Sequence, residues 1–212
     1  PCNFCPYCKA RYDTELSAKY LDALLREIRM GGSQYPKKKR VTSLYFGGGT
    51  PALVADRLKE IIDTCREYFE ITEGIGLELH PDNVTVDTLQ ILKEAGVTKI
   101  SIGIQSFQEK YQHILGRKMV DPAALSAALE AVPFETVSMD FIFALPEQTY
   151  EDLKQDIDMA FASGANHIAI YPFIDFTFTK SPVKAMKKKE KRVLLDAITR
   201  YCLDKGYSRS SI

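Results

Sequence analysis

The stretch Val41-Thr42-Ser43-Leu44-Tyr45-Phe46-Gly47-Gly48-Gly49-Thr50-Pro51 decides how the chain is read. Val41 to Phe46 reads as a short buried strand ending in glycines. Three glycines directly after a strand leave the backbone uncovered by side chains. A ligand can approach closely there, and amides can face a carboxylate or phosphate. The competing reading is a tight turn. A nucleotide phosphate loop is excluded, because no Gly-Lys-Ser/Thr follows. What lifts these glycines above a turn is their place at the rim of a sheet, and the rest of the chain supplies that sheet.

Upstream, Thr14 to Met30 reads as a helix. Leu16, Tyr20, Leu21, Leu24, Leu25 and Ile28 share one face, Asp13 or Thr14 serves as N-cap, and Gly31-Gly32 stops it. Pro36 to Arg40 is a basic, solvated linker. Downstream, Asp56–Phe69, Val84–Ala95, Gln108–Leu115, Pro122–Ala131, Tyr150–Ser163 and Lys187–Lys205 read as helices. Gly76–Leu79, Lys99–Ile104, Thr136–Phe143 and His167–Tyr171 read as strands. Five strands, each followed by one or two helices, indicate a parallel α/β sheet buried on both faces, with right-handed crossovers. Polar and glycine residues collect at the carboxyl ends of these strands: Gly47–Thr50, Glu78 and His80, Gln105, Tyr171, with Asp140 inside the fourth. Ligands of parallel α/β folds bind at that edge.

Apolar residues make up 45% of the 212, enough for a sizeable core. Lys+Arg and Asp+Glu both number 28, so the chain lacks the basic excess that nucleic acid or an anionic membrane rewards. No apolar run approaches the roughly 20 residues of a membrane span, and no secretory signal is visible. A cytoplasmic setting is expected.

The strongest chemical signal is Pro1-Cys2-Asn3-Phe4-Cys5-Pro6-Tyr7-Cys8. Closely spaced thiolates in one loop can ligate an iron–sulfur cluster. The alternatives are a zinc half-site or a coincidence, and zinc wants a second ligand pair at a distance. His80, His113 and His167 are scattered singly. Cys65 and Cys202 stand alone in helical stretches and read as small buried hydrophobes. Ser101-Ile102-Gly103-Ile104-Gln105-Ser106-Phe107 with Gly116-Arg117 offers an amide for hydroxyls and a guanidinium for a carboxylate. Taken alone, these read as a cap and a surface arginine. Asp140, among Met139, Phe141, Ile142 and Phe143, needs a partner, since an unpaired buried charge is costly.

In order, Cys-Asn-Phe-Cys-Pro-Tyr, Phe-Gly-Gly-Gly-Thr-Pro, Leu-Glu-Leu-His-Pro, Ser-Ile-Gly-Ile-Gln-Ser-Phe, Gly-Arg and Met-Asp-Phe-Ile-Phe-Ala-Leu-Pro-Glu-Gln-Thr run through nearly the whole chain. This combination resembles the oxygen-independent coproporphyrinogen III oxidase (dehydrogenase) group of radical S-adenosylmethionine proteins. The resemblance implies a partial (β/α)6 TIM-like barrel, with residues 1–212 as a radical SAM core whose first strand and C-terminal part lie outside the chain. Cys2 and Cys5 match the second and third cysteines of the family's triad. Cys8 is an extra cysteine in this register.

The resemblance further implies a [4Fe-4S] cluster with one iron free to bind S-adenosylmethionine. One electron, from a donor such as flavodoxin or ferredoxin, cleaves the sulfonium to give a 5′-deoxyadenosyl radical that abstracts hydrogen from a small-molecule substrate, a tetrapyrrole. Gly48, Gly49 and Thr50 would receive the methionyl part, supported by Glu78. Arg117 would hold its carboxylate, and Gln105 and Asp140 the ribose hydroxyls. The backbone at Ala144 would meet adenine, although the family usually has glycine there. Haem-trafficking relatives and radical methyltransferases share this core, and the position after Pro6, where the oxidases usually carry a further cysteine, is Tyr7.

Overall fold

The structure is a computed structural model that describes residues 4–7, 10–176 and 184–210. Cys2 and Cys8 lie outside the described residues. The chain groups into two compact units. One comprises Cys8–Ile102 with Ala127–Val137; the other comprises Pro1–Tyr7, Gly103–Ser126 and Ser138–Ile212.

The first unit opens with helix α1, Thr14–Gly32. The Asp13 carboxylate accepts from the Leu16 amide at 2.8 Å, satisfying one orphan donor of the first turn. Leu21 and Leu25 are buried and Leu24 and Ile28 half-buried, but Leu16 and Tyr20 of the expected apolar face are exposed. The glycine pair does not stop the helix, which runs through Gly32; a Cβ there would lie 2.2 Å from the Tyr68 ring.

The single strand expected over Val41–Phe46 is two. Strand β1 (Lys39–Val41) pairs in parallel with β3 (Phe69–Ile71), a strand not expected from the sequence, which reads Phe69 as the end of a helix. Strand β2 (Leu44–Phe46) pairs with β4 (Ile75–Leu79), with Leu44 opposite Ile75 and Phe46 opposite Leu77. Thr42 and Ser43 carry the chain from one ladder to the other. Strand β2 is not the buried strand expected: it ends its ladder, so Tyr45 is exposed and Leu44 and Phe46 are half-buried. Helix α2 (Ala55–Tyr68) follows β2, and α3 (Val86–Ala95) follows β4. Gly96 closes α3 in the left-handed region at φ 96°, where a side chain is strained.

Strand β5 (Lys99–Gln105) pairs in parallel with β4 and runs from the first unit into the second. Helices α4 (Glu109–Leu115) and α5 (Pro122–Ala131) follow it. In the second unit, β6 (Thr136–Phe143) pairs in parallel with β7 (His167–Pro172) from Ser138 opposite His167 to Phe143 opposite Pro172. Helix α6 (Tyr150–Ala162) connects them, and α7 (Lys188–Asp204) comes last. The strand order is β2-β4-β5-β6-β7, all of it the parallel α/β arrangement expected.

The pleat separates two faces along β4 and β5. Leu77, Leu79, Ile100, Ile102 and Ile104 are almost wholly buried. The alternate positions carry Gly76 and Glu78 on one strand and Lys99, Ser101, Gly103 and Gln105 on the other. Such period-two alternation gives the sheet one apolar face and one face able to hold polar groups. In the second unit, Phe143, Ala144, Leu153, Ile157, Leu194 and Ile198 form one buried cluster, and Tyr111, Leu115, Ile142, Leu145 and Phe173 another.

Candidate functional site

The three glycines after β2 do different jobs. At Gly47 a Cβ would lie 3.0 Å from Glu78 Oε1 and 3.3 Å from the Tyr45 ring, so its bareness lets that carboxylate come close. Gly48 has φ 100°, a conformation that costs an L-residue roughly 1–2 kcal/mol. Its N–H donates to Glu78 Oε2 at 3.1 Å, and the Tyr45 hydroxyl lies 3.4 Å from Oε1. A Cβ at Gly48 or Gly49 meets nothing within 4 Å. Gly49, unlike Gly48, lies outside the left-handed region. Thr50 precedes a 3-10 turn, Pro51–Val54, accepting from the Leu53 amide through its carbonyl while its side chain makes no capping bond.

Glu78 is half-buried one residue from the end of β4, opposite Ser101. A carboxylate held by one amide beside an open glycine edge is suited to an ammonium, and the neighbouring backbone to a carboxylate. The rim therefore fits the α-amino-acid end of a ligand such as S-adenosylmethionine. His80 is accounted for locally: its Nδ1 accepts from the Asp82 amide at 3.2 Å.

The second unit holds the other candidates. Gln105 ends β5 with φ 73°, and Ala144 follows β6 with φ 62°. Both are non-glycine residues in the left-handed region, and Ala144 stands where the related motif usually has glycine. The Arg117 guanidinium donates to the Gly103 carbonyl at 2.7 Å, tying the segment that follows α4 to β5. Asp140 is half-buried on β6, opposite Ala169 of β7. Phe4 packs on the cluster of Tyr111, Leu115, Ile142, Leu145 and Phe173, which seats the neighbouring half-buried Cys5. Cys65 is buried and Cys202 half-buried, as small hydrophobes should be, and burial pushes both thiols up from their ordinary pKa.

A polar knot behind the end of β5 escaped the sequence reading. The Asp156 carboxylate, 1% exposed on α6, accepts from the Ser106 hydroxyl at 2.7 Å and the Phe107 amide at 2.8 Å. Burial pushes this carboxyl up to about 6, against the opposing pull of those hydrogen bonds. Asp152, one turn earlier, takes Lys110 Nζ and the Tyr111 hydroxyl, each at 2.7 Å. Burial would raise its pKa, but the bonds from Lys110, Thr149 and Tyr111 prevail and hold it well below the usual carboxylate range. Burial, and then Asp152, push the Tyr111 phenol far above its ordinary value. The signal was present in the sequence: Asp156 interrupts the apolar face Leu153, Ile157 and Ala160.

Residues 2–160 match the family model for the radical SAM superfamily. The chain belongs to that superfamily. Among curated proteins it is 30% identical over 181 residues to the heme chaperone HemW of Bacillus subtilis, covering 82% of this chain and 47% of that protein. It is 32% identical over 176 residues to anaerobilin synthase of Escherichia coli O157:H7, covering 80% and 40%. It is 27% identical over 183 residues to the oxygen-independent coproporphyrinogen III oxidase of Pseudomonas aeruginosa, covering 81% and 40%. This radical SAM chain thus spans less than half the length of these relatives. Among solved structures, coproporphyrinogen III oxidase HemN of Escherichia coli superposes with a TM-score of 0.83 at 24% identity, covering 98% of this chain and 50% of that one. The barrel-type fold expected from the motifs is that of this radical SAM enzyme.

Proposed function

We propose that the chain is the cofactor-binding core of a radical SAM enzyme acting on a tetrapyrrole, with coproporphyrinogen III oxidase-like chemistry. The observation that carries the reading is the rim itself: an open Gly48-Gly49 edge whose amide already holds the Glu78 carboxylate at 3.1 Å. In this reading Gly48, Gly49, Thr50 and Glu78 receive the methionyl group and Arg117 its carboxylate. Gln105 and Asp140 take the ribose hydroxyls, and the backbone at Ala144 takes adenine. Cys2 and Cys5 ligate the [4Fe-4S] cluster, and Cys8 does not. When bound, S-adenosylmethionine supplies the difficult chemistry: one electron from a flavodoxin- or ferredoxin-type donor breaks a carbon–sulfur bond, leaving methionine and a 5′-deoxyadenosyl radical that abstracts a substrate hydrogen. The chain's own residues bind and orient that cofactor and keep water from it.

The Pseudomonas relative supports the oxidase reading. The Bacillus relative, of similar identity, favours a second one, a haem-binding chaperone on the same core. Anaerobic reconstitution of the full-length protein decides between them. With dithionite and coproporphyrinogen III, the oxidase reading expects 5′-deoxyadenosine together with loss of substrate propionate carboxyl groups. Stoichiometric haem binding without substrate turnover replaces it with the chaperone. Zinc in place of iron and sulfide sinks both.

A further inference from the structure

Gln105 is held in the left-handed region, at φ 73°, although it has a side chain. Such a conformation persists only where the surroundings over-determine it. Here the restraints fall on both sides of Gln105. The Gln112 amide donates to the carbonyls of Ile104, at 3.0 Å, and Ser106. The Ser106 hydroxyl accepts from the Gln108 amide at 3.1 Å and donates to Asp156. The Phe107 amide donates to the other oxygen of Asp156, and the Gln108 side chain donates to the Asp152 carbonyl at 2.7 Å. Asp156 is the hub, and it is an odd choice for a core position. It is a buried carboxylate that takes its hydrogen bonds from neutral donors, the Ser106 hydroxyl, the Phe107 amide and the Gln108 side chain, with the acidic Asp152 one turn away. A buried charge without a cation is costly, and an apolar residue would satisfy the packing beside Leu153 and Ile157.

We infer that Asp156, acting with Ser106, is a positioning residue: it clamps the two residues after Gln105 and thereby holds the Gln105 side chain in its ligand-binding pose. The carboxylate reaches the segment from helix α6, so the pose of a strand end is set by an element some fifty positions away in the chain. The inference rests on the reading of Gln105 as a ribose contact, and the test keeps the two apart.

The full-length, reconstituted protein is compared with its Asp156→Ala, Asp156→Asn and Ser106→Ala variants by two measurements. The first is S-adenosylmethionine affinity by calorimetry. The second, which needs no ligand, is hydrogen exchange at the Phe107 amide. Asparagine can accept from that amide through its oxygen and donate to Ser106 through its nitrogen, so Asp156→Asn should keep affinity within about threefold. Asp156→Ala should weaken affinity at least about tenfold and speed Phe107 exchange by a similar factor, with the β6 amides unchanged. In a Gln105→Gly background, where positive φ needs no clamp, adding Asp156→Ala should change affinity less than about twofold. Wild-type affinity in Asp156→Ala overturns the inference, as does a Phe107 amide that stays protected. If Asp156→Ala does not fold, Ser106→Ala is judged by the same two criteria. If the wild-type protein itself does not bind S-adenosylmethionine, the functional reading fails, and the exchange data still report whether the clamp exists.

Discussion

Gly48 and Gly49 stand side by side with the same open space around them, and alanine at the two positions should nevertheless act in opposite directions. A Cβ at either meets nothing within 4 Å, so sterics cancel. The difference is conformational. At Gly48, with φ 100°, alanine must adopt a region that costs an L-residue roughly 1–2 kcal/mol, offset by about 0.5 kcal/mol from a less flexible unfolded chain. The net is a loss of about 1 kcal/mol. At Gly49, outside that region, only the unfolded-chain effect remains, a gain of about 0.5 kcal/mol. The two variants should therefore differ by about 1.5 kcal/mol, or roughly 3–6 °C in Tm for a chain of this size. Thermal unfolding followed by circular dichroism reads the difference. If Gly48→Ala relaxes instead of bearing the strain, its amide leaves Glu78, and S-adenosylmethionine affinity falls with Tm nearly unchanged. Equal Tm shifts for the two variants, with affinity intact in both, would refute the assignment of the left-handed residue and its hold on Glu78.

The Asp156 carboxyl, pushed by burial up to about 6 from an ordinary value of 3.8, binds its proton more tightly folded than unfolded. Its contribution to stability is present below pH 4 and lost as pH rises to about 6, a change of up to about 3 kcal/mol that Asp156→Asn should remove. Chemical denaturation of both proteins from pH 4 to 7 checks this, and parallel curves would show that the carboxyl is not perturbed. Replacing Cys5 by alanine should strip iron and sulfide from the reconstituted full-length protein, whereas Cys65→Ala, in the core of α2, should cost stability without changing metal content. Iron and sulfide assays with a thermal melt separate the two, and a retained cluster in Cys5→Ala would break the cysteine register.

What was legible in the sequence follows from what each signal depends on. Helix α6 was read to within one residue of its end because Thr149 and Asp152 form a capping box at its start and its apolar period is intact. Strand β6 was read without error because eight residues of mostly apolar chain leave no other choice. The β1–β3 pair was missed because both are three-residue strands, too short for a period to show. The exposure of Leu16 and Tyr20 was missed for another reason. Helical spacing says which residues share a face, not how far along the helix a neighbour extends to cover it.

The candidate site divides along the same line. Glycine permits left-handed backbone, and Gly48 adopts it, so a bare edge after β2 was readable from residue identity together with its place at the end of a strand. Gln105 and Ala144 adopt the same region with ordinary side chains, and nothing in their identity says so. Their conformation is set by partners that neighbouring residue identity does not reveal: the remote Asp156 and the nearer Gln112 around Gln105, and the Gln148 side chain, which accepts from the Leu145 amide at 3.3 Å, beyond Ala144. One trace of this was readable, a carboxylate on an otherwise apolar helix face. A buried charge at such a position must be answered by donors, and the donors must come from another element, because the helix has spent its own amides on its own carbonyls. For Asp156 they come from the segment that leaves β5. A sequence that puts an acid where packing asks for leucine is therefore already pointing at a piece of backbone that needs holding, and only the tertiary structure says which piece.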